Sequence, residues 1–460
     1  MTPETVQPAV RPERAARRRR PEFLVTGLCF AVIVFDGYDL IVYGATVPAL
    51  LQYDSWNLTP AMAGAIGSYA LIGMLIGALI AGAVTDTVGR RRVLLTGVAW
   101  FSATMIGCAL APDATWFGIF RLLGGIGLGG VMPTAVALTA EYADPKRRSL
   151  NNAMMFSGYA VGGIIAAVLA MTLMPALGFR FMYAMGAAPL LLVPLLARYI
   201  PESLAFLTAK GRHEEAARTA AKLGMEVPAP GPASDDRPAP DGEALGQRKR
   251  AGLMQLAGRE YLGPALLFAA VSFFGLLLVY GLNTWLPQIM RAAGYPLSGS
   301  LLFLLVMNLG AVVGSLLISP LGDRFGMKPV TMAVFLAAAV SITLLAFATA
   351  APLMYALVAV AGFGTIGAQI MVLGYVAQHF PVEVRATALG CTLGLGRLGA
   401  ITGPLFGGFL LDAGVSTAWN FYAFAVPAAL ATALVLLLPG RALVERGLPG
   451  QERNLSATNH

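Results

Sequence analysis

Twelve long apolar runs restrict most strongly how this chain can fold. Each is close to the roughly 20 residues that an α-helix needs to cross the hydrocarbon core of a bilayer. The runs form two groups of six, separated by a polar stretch. They cover residues 23–50, 61–84, 93–111, 114–140, 150–175 and 181–200, and then 261–290, 298–320, 330–349, 352–379, 386–411 and 418–438.

Composition and periodicity make these runs membrane-spanning helices. Apolar residues are 57% and charged residues 12% of the chain, against roughly 45–50% and 25% in a soluble domain. Backbone polar groups in lipid must be satisfied internally, which leaves helices or a closed barrel. Because the runs do not alternate with a period of two, the barrel is excluded. We predict an all-α membrane protein with twelve transmembrane helices in two six-helix bundles.

Basic residues predict the orientation of the spans. With a cytoplasmic N-terminus, all but four of the 32 Lys and Arg residues lie on the cytoplasmic side, as the positive-inside rule requires. The exceptions are Arg180 and Arg291 outside, and Arg121 and Arg397 within spans. Both termini are therefore predicted to be cytoplasmic. The net charge of +8 reflects this asymmetry and indicates no nucleic-acid partner.

The runs also divide the chain into domains. The predicted segments are a basic tail (1–22), a first bundle (23–200), a cytoplasmic central loop (201–260), a second bundle (261–440) and a cytoplasmic tail (441–460). Within the central loop, HEEAARTAAKLG is expected to form a short amphipathic helix. The Pro-rich sequence that follows it is expected to be disordered.

A sequence repeat relates the two groups of runs. Asp86, Gly89, Arg91 and Val93 recur as Asp323, Gly326, Lys328 and Val330, each displaced by 237 positions. A second match joins Pro145 to Pro381, displaced by 236. Two related six-helix halves are typical of a transporter that rocks one half against the other around a site near the membrane midplane.

Several motifs resemble those of a known family. GAVTDTVGRRR, its echo SPLGDRFGMK and RLLGGIGLGG resemble the signatures of the major facilitator superfamily. DGYDLIVYGATVPAL, WLPQIMRAAGYPLS and PESLAFL narrow the resemblance to its aromatic acid:proton symporters. The resemblance implies proton-coupled uptake of an aromatic carboxylate, such as a hydroxybenzoate, by alternating access. It also implies a monomer in the lipid bilayer of the bacterial inner membrane.

Charged residues inside the predicted spans are candidates for the coupling machinery. Those that lie well inside the spans are Asp36, Asp39, Arg121 and Arg397. Each costs ~2.5–3.5 kcal/mol at a helix centre, so they must face a wet cavity or one another. Asp36 and Asp39 share one helix face, and two such close carboxylates can exchange a proton near neutral pH. In the family that the chain resembles, this acidic pair is needed for transport.

The arginines are the expected positive partners. A guanidinium keeps its charge and binds a carboxylate through two parallel hydrogen bonds. We expect one of Arg121 and Arg397 to bind the substrate carboxylate and the other to pair with a coupling Asp, and the sequence leaves both assignments open. Glu141, at the end of the fourth run, is a candidate second relay group. A surface ion pair with Lys146 or Arg148 is the alternative.

Two further sets of residues complete the predicted site. Residues expected to contact an aromatic substrate are Tyr38, Tyr43, Tyr280, Asn283, Trp285 and Gln288. The resemblance implies that the repeated loops form an inner gate that breaks during switching. The expected gating residues are Asp86, Gly89, Arg90, Asp323, Arg324 and Arg385.

Other functions stay open at this stage. The chain could carry another organic anion with protons, exchange a drug for protons, or sense a ligand without transporting it. The fifth run, GYAVGGIIAAV, lacks the proline of the antiporter signature, which weakens the second alternative. No nucleophile, base and orienting group stand together, and no metal-ligand spacing occurs. We therefore predict neither an enzyme nor a cofactor, with protons as the coupling ion.

Overall fold

The computed structural model describes residues 12–144, 148–223, 225, 254–256, 258–348 and 350–439. Within these ranges the chain forms long helices joined by short connections. The helices are α1 (Pro12–Leu50), α2 (Pro60–Val88), α3 (Arg90–Leu110), α4 (Ala114–Tyr142), α5 (Arg148–Thr172), α6 (Met174–Gly186), α7 (Pro189–Tyr199), α8 (Leu204–Ala209), α9 (His213–Leu223), α10 (Arg259–Ala292), α11 (Leu297–Phe325), α12 (Met327–Leu345), α13 (Ala351–His379), α14 (Val382–Asp412) and α15 (Thr417–Leu437).

The predicted membrane-spanning helices are confirmed. In the described part of the chain, 12 helical segments are long and apolar enough to cross a membrane. Each corresponds to one apolar run, and the sixth is shared by α6 and α7. The amphipathic helix expected in the central loop is α9, which buries Ala216 and Ala220. The Pro-rich part of that loop and the C-terminal tail lie outside the described residues.

Local sequence signals explain where several helices begin. Thr59 caps α2 by accepting a hydrogen bond from the amide of Met62, and Pro60 occupies the first helical position. Asp113 caps α4 by accepting from the amides of Thr115 and Trp116. Such side-chain oxygens satisfy amides that have no partner inside the helix. The polar residues between apolar runs therefore fix the starts of these spans.

Two glycines in the repeated loops have nearly the same backbone conformation. Gly89 joins α2 to α3 with φ 101° and ψ 151°, and Gly326 joins α11 to α12 with φ 92° and ψ 147°. Residues with a Cβ avoid this region. The repeat found in the sequence therefore preserves a backbone turn, and glycine is the residue that makes the turn possible.

The two bundles meet through equivalent pairs of helices. The main contacts between them join α2 to α14, α5 to α11 and α1 to α10. The repeat relates α2 to α11 and α5 to α14. The contact of α2 with α14 is therefore equivalent to the contact of α11 with α5. This is the arrangement that a pseudo-two-fold axis between the bundles produces.

The bundles separate toward one end of the molecule. We call the end where α1 begins and α15 stops the terminal end, and the opposite end the distal end. At the distal end, a Cβ on Gly64 of α2 would fall 3.2 Å from the Cα of Gly408 of α14. About five turns away on the same helix faces, a Cβ on Gly82 or Gly390 would meet no atom within 4 Å. The space between the bundles therefore opens toward the terminal end.

Candidate functional site

A cavity lined by charged and aromatic residues lies between the bundles. Its lining comes from both halves and consists of Asp36, Asp39, Leu40, Tyr43, Gly67, Ala70, Leu71, Met74, Arg121, Tyr159, Tyr280, Thr284 and Pro404. The open space in it is about 20 Å³, enough for one water molecule. An aromatic ring therefore fits only after the surrounding side chains or bundles move.

Asp39 and Arg121 form a buried ion pair in this cavity. Nη1 of Arg121 donates to Oδ1 of Asp39, and the two side chains are only 6% and 5% exposed, respectively for Asp39 and Arg121. The guanidinium carbon also lies 5.1 Å from the centre of the Tyr43 ring. Removing one partner of such a pair leaves an uncompensated charge in a dry environment. The pair is therefore a strong local constraint between α1 and α4.

Small residues bring α4 close enough to position Arg121. A Cβ on Gly125 would overlap the carbonyl oxygen of Ala70, and one on Gly129 would overlap that of Met74. Side chains cannot occupy these positions without moving α2. Gly125 and Gly129, spaced by four on α4, therefore allow α4 to pack closely against α2.

Asp36 lies one turn from Asp39 but has different surroundings. Its side chain is buried, and its Oδ2 has no hydrogen-bond partner among the described residues. Arg397 of α14 acts on it electrostatically from the opposite bundle. The adjacent Gly37 packs directly against the backbone of Tyr159, whose carbonyl oxygen a Cβ would overlap. The two carboxylates thus differ, because among the described residues Asp39 has an ion-pair partner and Asp36 has none.

Arg397 is a partly exposed guanidinium on the second bundle. Within the described ranges it forms no hydrogen bond or ion pair. It lies outside the cavity lining, although it interacts electrostatically with both Asp36 and Tyr280. Of the two arginines predicted inside spans, Arg121 is therefore engaged and Arg397 is available.

Only some of the residues predicted to contact the substrate line the cavity. Tyr43 lines the cavity, and its hydroxyl donates to the carbonyl of Ala63. The hydroxyl of Tyr38 donates to the carbonyl of Met182 at 2.7 Å, and Trp285 Nε1 donates to that of Pro404 at 2.7 Å.

Two of the predicted polar contacts also lie elsewhere. Nδ2 of Asn283 donates to the carbonyl of Val279 at 2.7 Å. Gln288 has a buried Oε1 that lacks a partner among the described residues. The structure therefore does not bring Tyr38, Asn283, Trp285 or Gln288 into the cavity lining.

Glu141 lies at the terminal end of α4, away from the cavity. Its carboxylate accepts from Arg90 at 2.7 Å, from the Ser203 hydroxyl at 2.7 Å and from the Ala205 amide at 2.9 Å. Lys146 and the side chain of Arg148, the alternative partners predicted for Glu141, lie outside the described part of the chain. Glu141 joins the ends of α3, α4 and α8.

The residues predicted to form the gate in the first bundle surround this network. Arg90 pairs with Glu141, and the Arg91 amide donates to Glu202 at 3.0 Å. A Cβ on Gly89 would fall 2.5 Å from a carboxylate oxygen of Glu202, while Asp86 is exposed. Glu202 was not predicted as a site residue, although PESL, next in sequence to the last span of the bundle, was a visible signal.

The residues predicted to form the gate in the second bundle have weaker partners. Asp323 and Arg324 are exposed, and the Arg324 guanidinium lies 5.3 Å from the Phe325 ring centre. Arg385 Nε donates to the Phe380 carbonyl at 3.2 Å. Lys328 donates to the carbonyl of Leu438 at 2.5 Å. Unlike the first bundle, this end forms no ion pair among the described residues.

Two six-helix bundles around a charged central cavity that opens at one end define a membrane transporter. A sequence profile described as Major Facilitator Superfamily matches residues 29–315 and 304–458. The chain belongs to the major facilitator superfamily.

Similar proteins agree with this assignment. The benzoate transport protein of Acinetobacter baylyi is 38% identical over 419 residues, covering 90% of this chain and 89% of that protein. The gentisate transporter of Corynebacterium glutamicum is 38% identical over 410 residues, covering 88% and 84%. The partially occluded inward-open xylose transporter XylE of E. coli has a TM-score of 0.68 at 20% identity, covering 91% and 100%. The resemblance to aromatic acid transporters inferred from the sequence is thereby confirmed.

Proposed function

We propose that the protein takes up an aromatic carboxylate together with protons by alternating access. Both termini are cytoplasmic in this proposal, so the terminal end faces the cytoplasm of a bacterial inner membrane. The distribution of basic residues supports this orientation. The names of the two relatives support a benzoate-like substrate.

The arrangement of Asp36 and Arg397 carries the proposal. The first is a buried carboxylate without a hydrogen bond at Oδ2 among described partners, and the second is an unengaged guanidinium from the opposite bundle that acts on it. Either the Asp36 carboxylate or a substrate carboxylate can neutralise Arg397. Protonation of Asp36 removes the internal competitor, so a proton and an anion bind cooperatively. Cooperative binding of the two is the requirement for symport.

This arrangement also separates the roles of the two arginines. Arg121 is already held by Asp39, and detaching it would expose two desolvated charges at once. Arg397 can accept a carboxylate without first losing a hydrogen bond to a described residue. We therefore assign the substrate carboxylate to Arg397 and assign to Arg121 the role of neutralising Asp39.

The remaining lining suits a ring once the cavity widens. Leu40, Leu71 and Met74 present apolar surface, and Tyr43 presents an aromatic ring. Aromatic pairs are favourable in offset or edge-to-face geometry. Because the open space is about 20 Å³, ring entry requires movement of the surrounding side chains or of the bundles, and alternating access supplies the second kind of movement.

Uptake into proteoliposomes tests this function. Vesicles containing the protein, with an alkaline interior, should accumulate labelled benzoate or gentisate several-fold above protein-free vesicles. Protein-free vesicles are essential because the protonated acid crosses lipid unaided. Arg397→Gln provides a matched control that keeps the protein in the membrane. The proposal is wrong if accumulation equals that of protein-free vesicles, or if an outward proton gradient drives the substrate into the vesicles in exchange for protons.

A further inference from the structure

The last span of each bundle ends with the same backbone pattern. α7 is followed by Ile200 and Pro201, and α15 by Leu438 and Pro439. Ile200 (φ −77°, ψ 116°) and Leu438 (φ −62°, ψ 139°) are extended, as expected for a residue that precedes proline. Proline has no amide hydrogen, so it cannot donate to a carbonyl in the last turn of the helix. These carbonyls therefore need other donors.

In the first bundle, side chains of two other helices supply such donors. Nη2 of Arg91, at the start of α3, donates to the carbonyl of Ala197. Ala197 lies four residues before Pro201, so the missing proline amide is the one that would bind this carbonyl in a continuing helix. The hydroxyl of Tyr142, the last residue of α4, donates to the carbonyl of Glu202 at 2.6 Å. The end of α7 is thus joined to α3 and α4.

In the second bundle, the equivalent helices supply the same kinds of donor. Nζ of Lys328, at the start of α12, donates to the carbonyls of Leu436 at 3.0 Å and Leu438 at 2.5 Å. The hydroxyl of Tyr375, near the end of α13, donates to the carbonyl of Pro439 at 2.9 Å. α12 and α13 are the third and fourth spans of their bundle, as α3 and α4 are of theirs.

The repeat accounts for one of the two donors. It pairs Lys328 with Arg91. The same displacement would pair Tyr142 with His379, whereas the hydroxyl is supplied by Tyr375, about one turn earlier on α13. The chemistry therefore recurs in the second bundle even where the sequence position does not.

Both cations suit the position that they occupy. The C-terminal end of a helix carries a partial negative charge, which a cation stabilises. Within the described ranges neither Arg91 nor Lys328 forms an ion pair, whereas the adjacent Arg90 is bound to Glu141. The bonds to carbonyls are therefore separate from the ion pair at the terminal end of the first bundle.

We propose that these side chains form one carbonyl clamp in each bundle, Arg91 with Tyr142 and Lys328 with Tyr375, which fixes the end of the last span to the third and fourth spans. The third span begins directly after the turn that follows the second span. The clamp therefore holds that turn to its own bundle, so that the turn and the last span move with the bundle as one body. It also fixes the points at which the central loop and the C-terminal tail leave the bundles. The inference is independent of the substrate.

Hydrogen exchange of the purified full-length protein in detergent, followed by mass spectrometry, tests the clamps. Lys328→Met should speed exchange in the last turn of α15 roughly tenfold or more, because hydrogen bonds from charged donors are strong and local opening governs exchange. The last turn of α7 should exchange as in the wild type. Arg91→Met should give the reverse pattern. Lys328→Arg keeps a charged donor and should restore most of the protection.

Two further variants complete the test. Arg92→Met is the matched control, since it removes an exposed charge beside Arg91 and should leave exchange at both helix ends unchanged. Tyr375→Phe removes only a hydroxyl and should speed exchange at the end of α15 several-fold, which decides the question if Lys328→Met does not fold. The clamp is refuted if Lys328→Met and Tyr375→Phe both exchange at the end of α15 as Arg92→Met does. It is also refuted if Lys328→Met speeds exchange equally at the ends of α7 and α15, because the effect would then be a general loss of stability.

Discussion

The two bundles share a backbone plan but not a distribution of charge. Gly89 and Gly326 differ by less than 10° in φ and in ψ, so the turn between the second and third spans of each bundle is the same. Well inside its spans the first bundle holds Asp36, Asp39 and Arg121, whereas the second holds Arg397. The terminal end of the first bundle is tied by an ion pair, and that of the second by bonds to backbone carbonyls.

This difference separates the features that the repeat preserves in both bundles from those found in only one. The parts that must move alike, namely the turns and the packing of helices at the interface, are preserved in both halves. The charges to which we assign the coupling of a proton to an anion are divided, with the carboxylates on one bundle and the Arg397 guanidinium on the other. A relative movement of the bundles would therefore change the distance between the two sides of the proposed coupling site.

The largest expected effect comes from removing the arginine of the first bundle. Arg121→Gln leaves the buried Asp39 without its partner, which typically costs ~3–5 kcal/mol and corresponds to roughly 10²–10³-fold or more in transport rate or affinity. A lower melting temperature in detergent and a collapse of uptake would both follow. Arg397→Gln should impair uptake with a much smaller loss of stability, since Arg397 has no such bond.

A double variant tests whether the unpaired charge of Asp39 causes the stability loss expected in Arg121→Gln. Asp39→Asn combined with Arg121→Gln removes both charges, so its melting temperature should recover most of the loss seen in Arg121→Gln. Uptake should remain low. Equal melting temperatures for the single and double variants would argue that the ion pair is not the constraint inferred from its burial.

Asp36→Asn tests the coupling between the bundles. If the ionised Asp36 competes with the substrate for Arg397, wild-type affinity should weaken by about tenfold for each pH unit above the titration of Asp36. The amide cannot ionise, so the variant should bind the acid with an affinity independent of pH. It should also equilibrate the substrate without accumulating it. Retained pH dependence of binding in Asp36→Asn would contradict the scheme.

Much of the fold follows from the sequence because lipid imposes strong local rules. Run length and the absence of period-two alternation predict the number and type of spans, and the repeat predicts the two bundles. The paired carboxylates and intramembrane arginines were also visible, since an ionisable residue inside a span is costly and therefore rarely accidental. These predictions depend on single segments, and single segments are what a sequence displays.

The contacts between segments were harder to predict. From sequence alone, Asp36 and Asp39 were equivalent, and the pairing of the arginines stayed open, because it depends on the rotation of α4 and α14 against α1. Trp285 and Asn283 were expected in the cavity, but each donates to a backbone carbonyl. Tyr159 was missed, because its position beside Asp36 results from the packing of α5 against α1.

The two loop glycines provide a matched test of the comparison at the terminal ends. Gly89→Ala and Gly326→Ala should both be destabilising, by about 1–3 kcal/mol, because a residue with a Cβ is strained in this conformation. Gly89→Ala should cost more, since its Cβ would fall 2.5 Å from the Glu202 carboxylate, whereas a Cβ on Gly326 would meet only the Pro329 ring at 3.7 Å. Melting temperatures in detergent measure both losses of stability. A larger decrease for Gly326→Ala than for Gly89→Ala would contradict the expected order.

The smallest expected effect concerns Glu141 and distinguishes a role in proton transfer from a purely structural role. The Arg90–Glu141 pair joins helices of one bundle and is partly solvent-exposed, with Arg90 at 31% and Glu141 at 12%, so Glu141→Gln should cost about 1 kcal/mol. The exposed Asp323 offers a control in the second bundle, where Asp323→Asn should change stability by less than about 0.5 kcal/mol. Because Glu141 contacts neither Asp36 nor the cavity lining, Glu141→Gln should keep both gradient-driven accumulation and the pH dependence of binding. Loss of accumulation with unchanged melting temperature would make Glu141 part of the proton pathway, and the coupling chemistry would then extend from the cavity to the terminal end of the first bundle.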